Sequence, residues 1–110
     1  MSHEQLRLYQ TPEFNAWLAT LNEQHEHSVH GRLRRLIWGA FGDSRSLGDG
    51  LFELRWRNGL RVYFTRKRIG DIDTIVLYGG FKGTQHGDII KSRNVQAQHE
   101  ERLRGGRSDA

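Results

Sequence analysis

Apolar residues fall into two spacings along this chain, a helical one near the start and a strand-like one in the middle. Phe14, Trp17, Leu18 and Leu21 recur at i, i+3, i+4 and i+7, the single stripe of an amphipathic helix. Thr11-Pro12-Glu13 reads as its start, with Thr11 as N-cap, Pro12 at the first helical position and an acid in the first turn. A second helix fits from about Glu26 to Gly39, with Val29, Leu33, Leu36 and Ile37 inward and Arg32, Arg34 and Arg35 on its other faces. Gly39 closes it, and a loop containing Gly42-Asp43, Gly48 and Gly50 follows. The two helices are expected to form an antiparallel pair.

The period then changes to two. Phe52, Leu54 and Trp56 alternate with Glu53, Arg55 and Arg57, and Leu60-Arg61-Val62-Tyr63-Phe64 alternates again after the turn signal Asn58-Gly59. A two-residue turn would set every Arg opposite an apolar side chain. A three-residue loop, Arg57-Asn58-Gly59 with Gly59 left-handed, pairs Trp56 with Leu60 and Leu54 with Val62, which keeps one hydrophobic face whole. That register sets Arg55 across from Arg61, an opposition of like charges that costs up to roughly 1 kcal/mol. Glu53 then lies beside Tyr63, diagonally near Arg61, where it could partly neutralise the guanidinium.

Arg66 to Asp71 reads as a charged hairpin loop and Ile72 to Tyr78 as a third strand, apolar enough at its end to be central. Gly79-Gly80 is expected to leave the strand, and a helix to run from Thr84 or Gln85 to about Arg102. Its apolar content is thin (Ile89, Ile90, Val95, Ala97, Leu103), so its distal half is expected to protrude or fray, with residues 104–110 a basic tail. The expected fold is α+β in the order ααβββα, two N-terminal helices on a small antiparallel sheet with a C-terminal helix. Residues 1–103 form a single domain.

A length of 110 residues suits one domain, and three Trp, three Tyr and five Phe supply a core despite an apolar content of 35%. The absence of cysteine excludes a disulfide framework and thiolate metal sites. No apolar run approaches the ~20 residues that span a membrane. Residues Met1 to Gln5 lack the apolar stretch of a signal peptide, so the expected location is the cytoplasm, with no membrane partner. Neither His25-x-His27-x-x-His30, which straddles the expected helix junction, nor Gly79-Gly80-x-Lys82, which lacks P-loop spacing, is read as a metal or nucleotide site.

Charge is concentrated. Residues 31–68 hold ten Lys/Arg against three acids, whereas residues 1–30 are net acidic and residues 69–110 balance. Of the 17 basic residues of the chain fourteen are Arg, whose planar fork binds phosphate in two places and stacks on bases. Such a basic centre attracts a polyanion.

In order along the chain stand Phe14-x-x-Trp17-Leu18-x-x-Leu21, Arg32-Leu33-x-x-Leu36-x-x-Gly39, Gly42-Asp43 and Leu47-Gly48-x-Gly50-Leu51-Phe52-Glu53-Leu54-Arg55. They are followed by Arg61-Val62-Tyr63-Phe64 and Gly79-Gly80-Phe81-Lys82-Gly83-Thr84-Gln85-x-x-Asp88-Ile89. The ordered set, over residues 14–92, resembles the RelE/HigB superfamily of bacterial type II toxins, in its phage-related addiction module killer protein branch. The resemblance implies a RelE-like fold and a ribosome-dependent mRNA interferase that inhibits translation by cleaving mRNA in the ribosomal A site. It implies neutralisation by a cognate helix-turn-helix antitoxin encoded nearby. Such toxins drive the ribose 2′-OH onto the adjacent phosphorus, without metal or other cofactor, to give a 2′,3′-cyclic phosphate and a 5′-OH.

On that resemblance Arg61 and Lys82 occupy the basic positions at the scissile phosphate, and Arg55 and Arg57 hold neighbouring phosphates. Many relatives carry a catalytic Tyr after the last strand, where this chain has His86-Gly87-Asp88, and Phe81 stands where relatives are often polar. His86, Glu53, Tyr63 and Asp88 are therefore the candidates for proton transfer, an imidazole being the side chain that ordinarily titrates nearest neutrality. Tyr63 could instead stack on a base, Gln85 could contact a base or ribose or anchor the first helical turn, and Arg32 and Arg35 extend the RNA-binding surface. The alternatives are a ParE-like gyrase-inhibiting toxin and a non-catalytic module that binds RNA or an antitoxin.

Overall fold

A computed structural model describes residues 5–105; the expectations for the extreme N-terminus and for the tail beyond Gly105 lie outside the described residues. The elements are β1 (Leu8–Gln10), α1 (Pro12–Leu18), α2 (Glu23–Ile37), β2 (Ser44–Gly48), β3 (Leu51–Arg55), β4 (Leu60–Thr65), β5 (Thr74–Phe81), a 3-10 turn (Lys82–Thr84) and α3 (Gln85–Gly105). The class is α+β, with three helices and a five-stranded mixed sheet in the order β1-β5-β4-β3-β2. The expected order ααβββα is thus corrected by two additional strands. β1 is three residues long and pairs parallel with β5, while β2 (Ser-Arg-Ser-Leu-Gly) is a polar edge strand on β3. Neither carries an alternating pattern; partner strands, not their own residues, make them strands.

Local chemistry sets the first helices. The Thr11 hydroxyl accepts from the Phe14 N–H at 3.0 Å and donates to the Leu77 carbonyl at 2.7 Å, so one side chain caps α1 and ties it to β5. Asn22 caps α2 by accepting from His25 N–H at 2.7 Å, which starts this helix at Glu23, not Glu26. All three of His25, His27 and His30 therefore lie on one helix. Gly39 follows α2 with a left-handed φ of 79°.

The β3–β4 register is the one the hydrophobic face requires. Leu54 pairs with Val62, Phe52 with Phe64, Glu53 with Tyr63 and Arg55 with Arg61. Gly59 closes the loop at φ 99°, and Trp56 N–H donates to the Leu60 carbonyl at 3.1 Å. One sheet face buries Leu54, Leu60, Val62, Phe64 and Val76 against Phe14 and Leu18 of α1 and Val29, Leu33 and Leu36 of α2. A shift in register between β4 and β5 makes Leu77 the extra residue between Tyr78 and Val76. Leu77 and Tyr78 accordingly both join Leu51, Tyr63, Ile75 and Val95 in the cluster beneath α3.

Two expectations at the C-terminal half are overturned. β5 continues through Gly79 and Gly80 to Phe81 because these glycines accommodate close neighbours: a Cβ on Gly79 would land in the Trp17 ring, and one on Gly80 would collide with the Asp88 carboxylate. The distal half of α3 neither protrudes nor frays as far as Glu100; Val95, Gln96, His99 and Glu100 are buried, and Arg104 and Gly105 are still helical. The buried face is polar, which is why hydrophobic periodicity does not reveal it. Arg93 donates to the Leu47 carbonyl at 2.6 Å, Gln96 to the Asp49 carbonyl at 3.1 Å, and His99 Nε2 lies 3.0 Å from Glu13 Oε1 of α1. The sheet thus lies between α1 and α2 on one side and α3 on the other.

The steric fit at Gly79 predicts that Gly79→Ala lowers stability by about 1–3 kcal/mol in denaturant unfolding, since the indole must move in a packed layer. The Glu13–His99 contact predicts a pH effect. Burial pushes the Glu13 carboxyl up, but its own N–H, His99 and Arg102 outweigh this and hold it below its ordinary value. A carboxyl depressed in the folded state contributes stability above its unfolded pKa of about 4.3 and loses it as pH falls through the folded value. Glu13→Gln is therefore expected to flatten the acid limb of a Tm–pH profile below about pH 4.

Candidate functional site

The face of β3 and β4 opposite α1 and α2 carries Glu53, Arg55, Arg61 and Tyr63. It is covered in part by α3. Glu53 and Tyr63 are fully buried, Arg55 and Arg61 are partly exposed, and Lys82 and His86 are exposed.

Glu53 is held by two partners. Arg45 Nε donates to Oε1 at 2.9 Å from β2, and Gln85 Nε2 donates to Oε2 at 2.7 Å from the first turn of α3. With both oxygens occupied and no exposure, Glu53 is a structural anchor and neither a proton acceptor for a substrate nor the neutraliser of Arg61. Gln85 is likewise committed to Glu53 and anchors the helix. Arg45 escapes sequence reasoning because β2 reads as a loop; a strand there would have set Arg45 opposite Glu53, as the register does.

Tyr63 cannot stack on a base, because it is enclosed in the cluster beneath α3. Burial raises its phenol pKa, the Glu53 and Asp88 carboxylates raise it further, and Arg61 opposes them. It remains a neutral phenol at physiological pH, its hydroxyl close to the Glu53 carboxylate but without a well-formed hydrogen bond among the described residues.

The opposed cations are drawn apart. Arg55 reaches Asp43 Oδ1 at 3.0 Å, and Arg61 Nη1 turns back onto the Trp56 and Leu60 carbonyls at 3.1 and 2.8 Å. The Arg55–Asp43 pair is partly exposed and is worth at most ~1 kcal/mol, so an incoming anion can displace it. Among the described residues Arg55 Nε and Arg61 Nε are both buried without a hydrogen-bond partner. At one cross-strand position of this face they thus place two donors without partners, next to the Tyr63 hydroxyl, where buried polar groups are ordinarily satisfied. Gly80 stands opposite Arg61, with Asp88 packed on it and hydrogen-bonded by the Thr84 hydroxyl. Lys82 N–H donates to the Gly59 carbonyl at 2.8 Å, which fixes this cation beside the hairpin loop that precedes Arg61.

The remaining expected residues separate. Arg32 clamps the main chain: Nη1 donates to the Arg55 carbonyl at 2.9 Å, and Nη2 to those of Phe41 and Asp43. Its guanidinium lies 4.5 Å above the Trp56 ring, and burial lowers its pKa while Asp43 opposes that. Arg35 is exposed on α2, on the far side of the sheet from Arg61, and Arg57 is exposed in the hairpin loop. Among the described residues no three His, Asp or Glu side chains group as a metal site; His25 packs against Phe81 instead. No helix of the described residues is long and apolar enough to cross a membrane.

Removing the donor to one oxygen of a buried carboxylate leaves that oxygen unsatisfied even though the charge is still met by Arg45. Gln85→Ala is therefore expected to lower unfolding free energy by about 1–3 kcal/mol and to raise amide exchange in the first turns of α3, because that turn loses its tie to β3.

No family model matches the chain. A protein of Haemophilus influenzae named only as "Uncharacterized protein" is 37% identical over 91 residues, which cover 80% of this chain and 90% of the relative. That extent reaches over most of the fold, and the chain belongs to the same family as this Haemophilus influenzae protein.

Proposed function

We propose that the chain is a toxin of a type II toxin–antitoxin system with a RelE-like fold, a ribosome-dependent mRNA interferase of the RelE/HigB superfamily. The observation that carries this reading is the cross-strand opposition of Arg55 and Arg61, whose buried Nε groups lack partners, beside Lys82 at the end of the neighbouring strand. A fold that opposes two arginines across neighbouring strands, with their guanidiniums turned apart onto weak partners, gains most when a phosphodiester draws both toward it. In this reading the partners are mRNA in the ribosomal A site and a helix-turn-helix antitoxin encoded nearby, and the protein works in the cytoplasm.

The chemistry is transesterification. The 2′-oxygen forms a bond to phosphorus, its proton passes to a base, the P–O5′ bond breaks, and O5′ takes a proton. Arg61 and Lys82 stabilise the added negative charge on the phosphorane, and Arg55, released from Asp43, holds the adjoining phosphate. Of the four candidates for proton transfer, Glu53 and Tyr63 are enclosed and Asp88 is bound by Thr84, whereas His86 is exposed at the start of α3. His86 is therefore assigned the proton transfer. Orientation of the 2′-OH in line with phosphorus supplies part of the rate.

Purified protein added to translating ribosomes, with mRNA ends mapped, tests this. Arg61→Ala and Lys82→Ala are expected to reduce cleavage by about 10²–10³-fold, and His86→Ala by about 10²–10⁴-fold. Lys82 is exposed and carries no ion pair among the described residues, so Lys82→Ala should leave Tm unchanged. Intact message with wild-type protein, alongside poisoned gyrase, would replace this reading with the ParE-like one.

A further inference from the structure

Most arginines outside the candidate site are occupied: Arg7 and Arg45 face carboxylates, and Arg32 and Arg93 donate to main-chain carbonyls. Arg34 and Arg35 are exposed in the last turns of α2, and among the described residues neither faces a carboxylate or a carbonyl. The α2 dipole favours cations there, but it does not account for the groove beside them. That groove, about 270 Å³, is lined by Arg34, Arg35, His27 and Gly31 of α2 and by the Arg32–Trp56 stack.

Gly31 is the second observation. It lies inside α2, where glycine destabilises relative to alanine by about 1 kcal/mol. Packing does not require it: a Cβ there would meet only Arg34 Nη2, at 4.0 Å, and its φ is not left-handed. What the missing side chain does is keep the groove open between the unpaired arginines and the half-buried indole of Trp56.

We propose that this groove binds a segment of single-stranded RNA apart from the Arg61 site, with Arg34 and Arg35 on its phosphates and a base against the Trp56–Arg32 stack. The identity of the strand as RNA rests on the function proposed above; the groove itself does not. Unpaired guanidinium forks fit phosphodiester oxygens, and a guanidinium-capped indole offers the flat surface that a nucleobase extends and that an acidic peptide does not need. Trp56 and Arg61 belong to the same hairpin, and the Arg61 guanidinium donates to the Trp56 carbonyl. RNA held in the groove would therefore be registered against the Arg61 site on the other side of the sheet.

The test is fluorescence anisotropy of the full chain with a labelled 2′-O-methyl oligonucleotide, which has no attacking hydroxyl and so reports binding without cleavage. The double change R34Q/R35Q is expected to weaken binding at least tenfold at low salt and to reduce the slope of log Kd against log salt by about 1.4, the share of two phosphates. Gly31→Leu, which fills the groove, should weaken binding comparably while Tm does not fall. The R34Q/R35Q effect should persist in an Arg61→Ala background. If R34Q/R35Q changes neither affinity nor salt slope, the proposal is overturned whatever the cleavage result. It is equally overturned if a polyglutamate peptide binds as tightly and loses as much. If the protein cuts no message yet the R34Q/R35Q loss appears, the nuclease reading fails and the groove stands.

Discussion

A carboxylate with no exposure is tolerable only when its oxygens are hydrogen-bonded and its charge is met, and Glu53 meets both conditions through Arg45 and Gln85. The two partners come from opposite directions along the chain. Arg45 recruits the edge strand β2, and Gln85 sets where α3 begins over the sheet. Because the start of α3 is tied there, Asp88 comes down on Gly80 and α3 roofs Tyr63, while Lys82 and His86 stay outside. The arrangement of the candidate site follows from one satisfied charge.

The cost of that arrangement falls on the neighbouring cross-strand pair. Arg55 and Arg61 cannot relax toward Glu53, which is already occupied, so each finds a partial substitute in Asp43 or in main-chain carbonyls. Among the described residues their buried Nε atoms remain unsatisfied, a local conflict of the kind that proteins retain at functional surfaces. The opposite face shows no such conflict. There Arg32 is fully used, clamping α2 to three carbonyls around β3, and the aromatic residues pack among themselves.

Glycine takes three different parts in this chain. Gly59 supplies a left-handed turn that keeps Leu54 opposite Val62; Gly79 and Gly80 admit Trp17 and Asp88 against an otherwise regular strand; Gly31 leaves a helix surface open where packing makes no demand. Only the first of these has a local signature. A Gly-Gly pair reads as a break unless the incoming side chains are known, and those come from residues 62 positions earlier and eight later.

Local pattern alone determined most of the two helix stripes, though Leu21 lies beyond the end of α1 and Ile37 outside both core clusters, and it determined the Thr11 cap, the hairpin with its three-residue loop and the register that opposes Arg55 to Arg61. In each case one buried apolar face or one capping group settles the geometry over a few residues. The tertiary structure alone decided that β1 and β2 are strands, that β5 passes through its glycines, and that α3 packs along its length by polar contacts such as Gln96 to the Asp49 carbonyl. It also decided which candidates stay accessible, enclosing Glu53 and Tyr63 and consuming Arg32 and Gln85. Burial and pairing of a polar side chain depend on partners distant in sequence, and no periodicity records them.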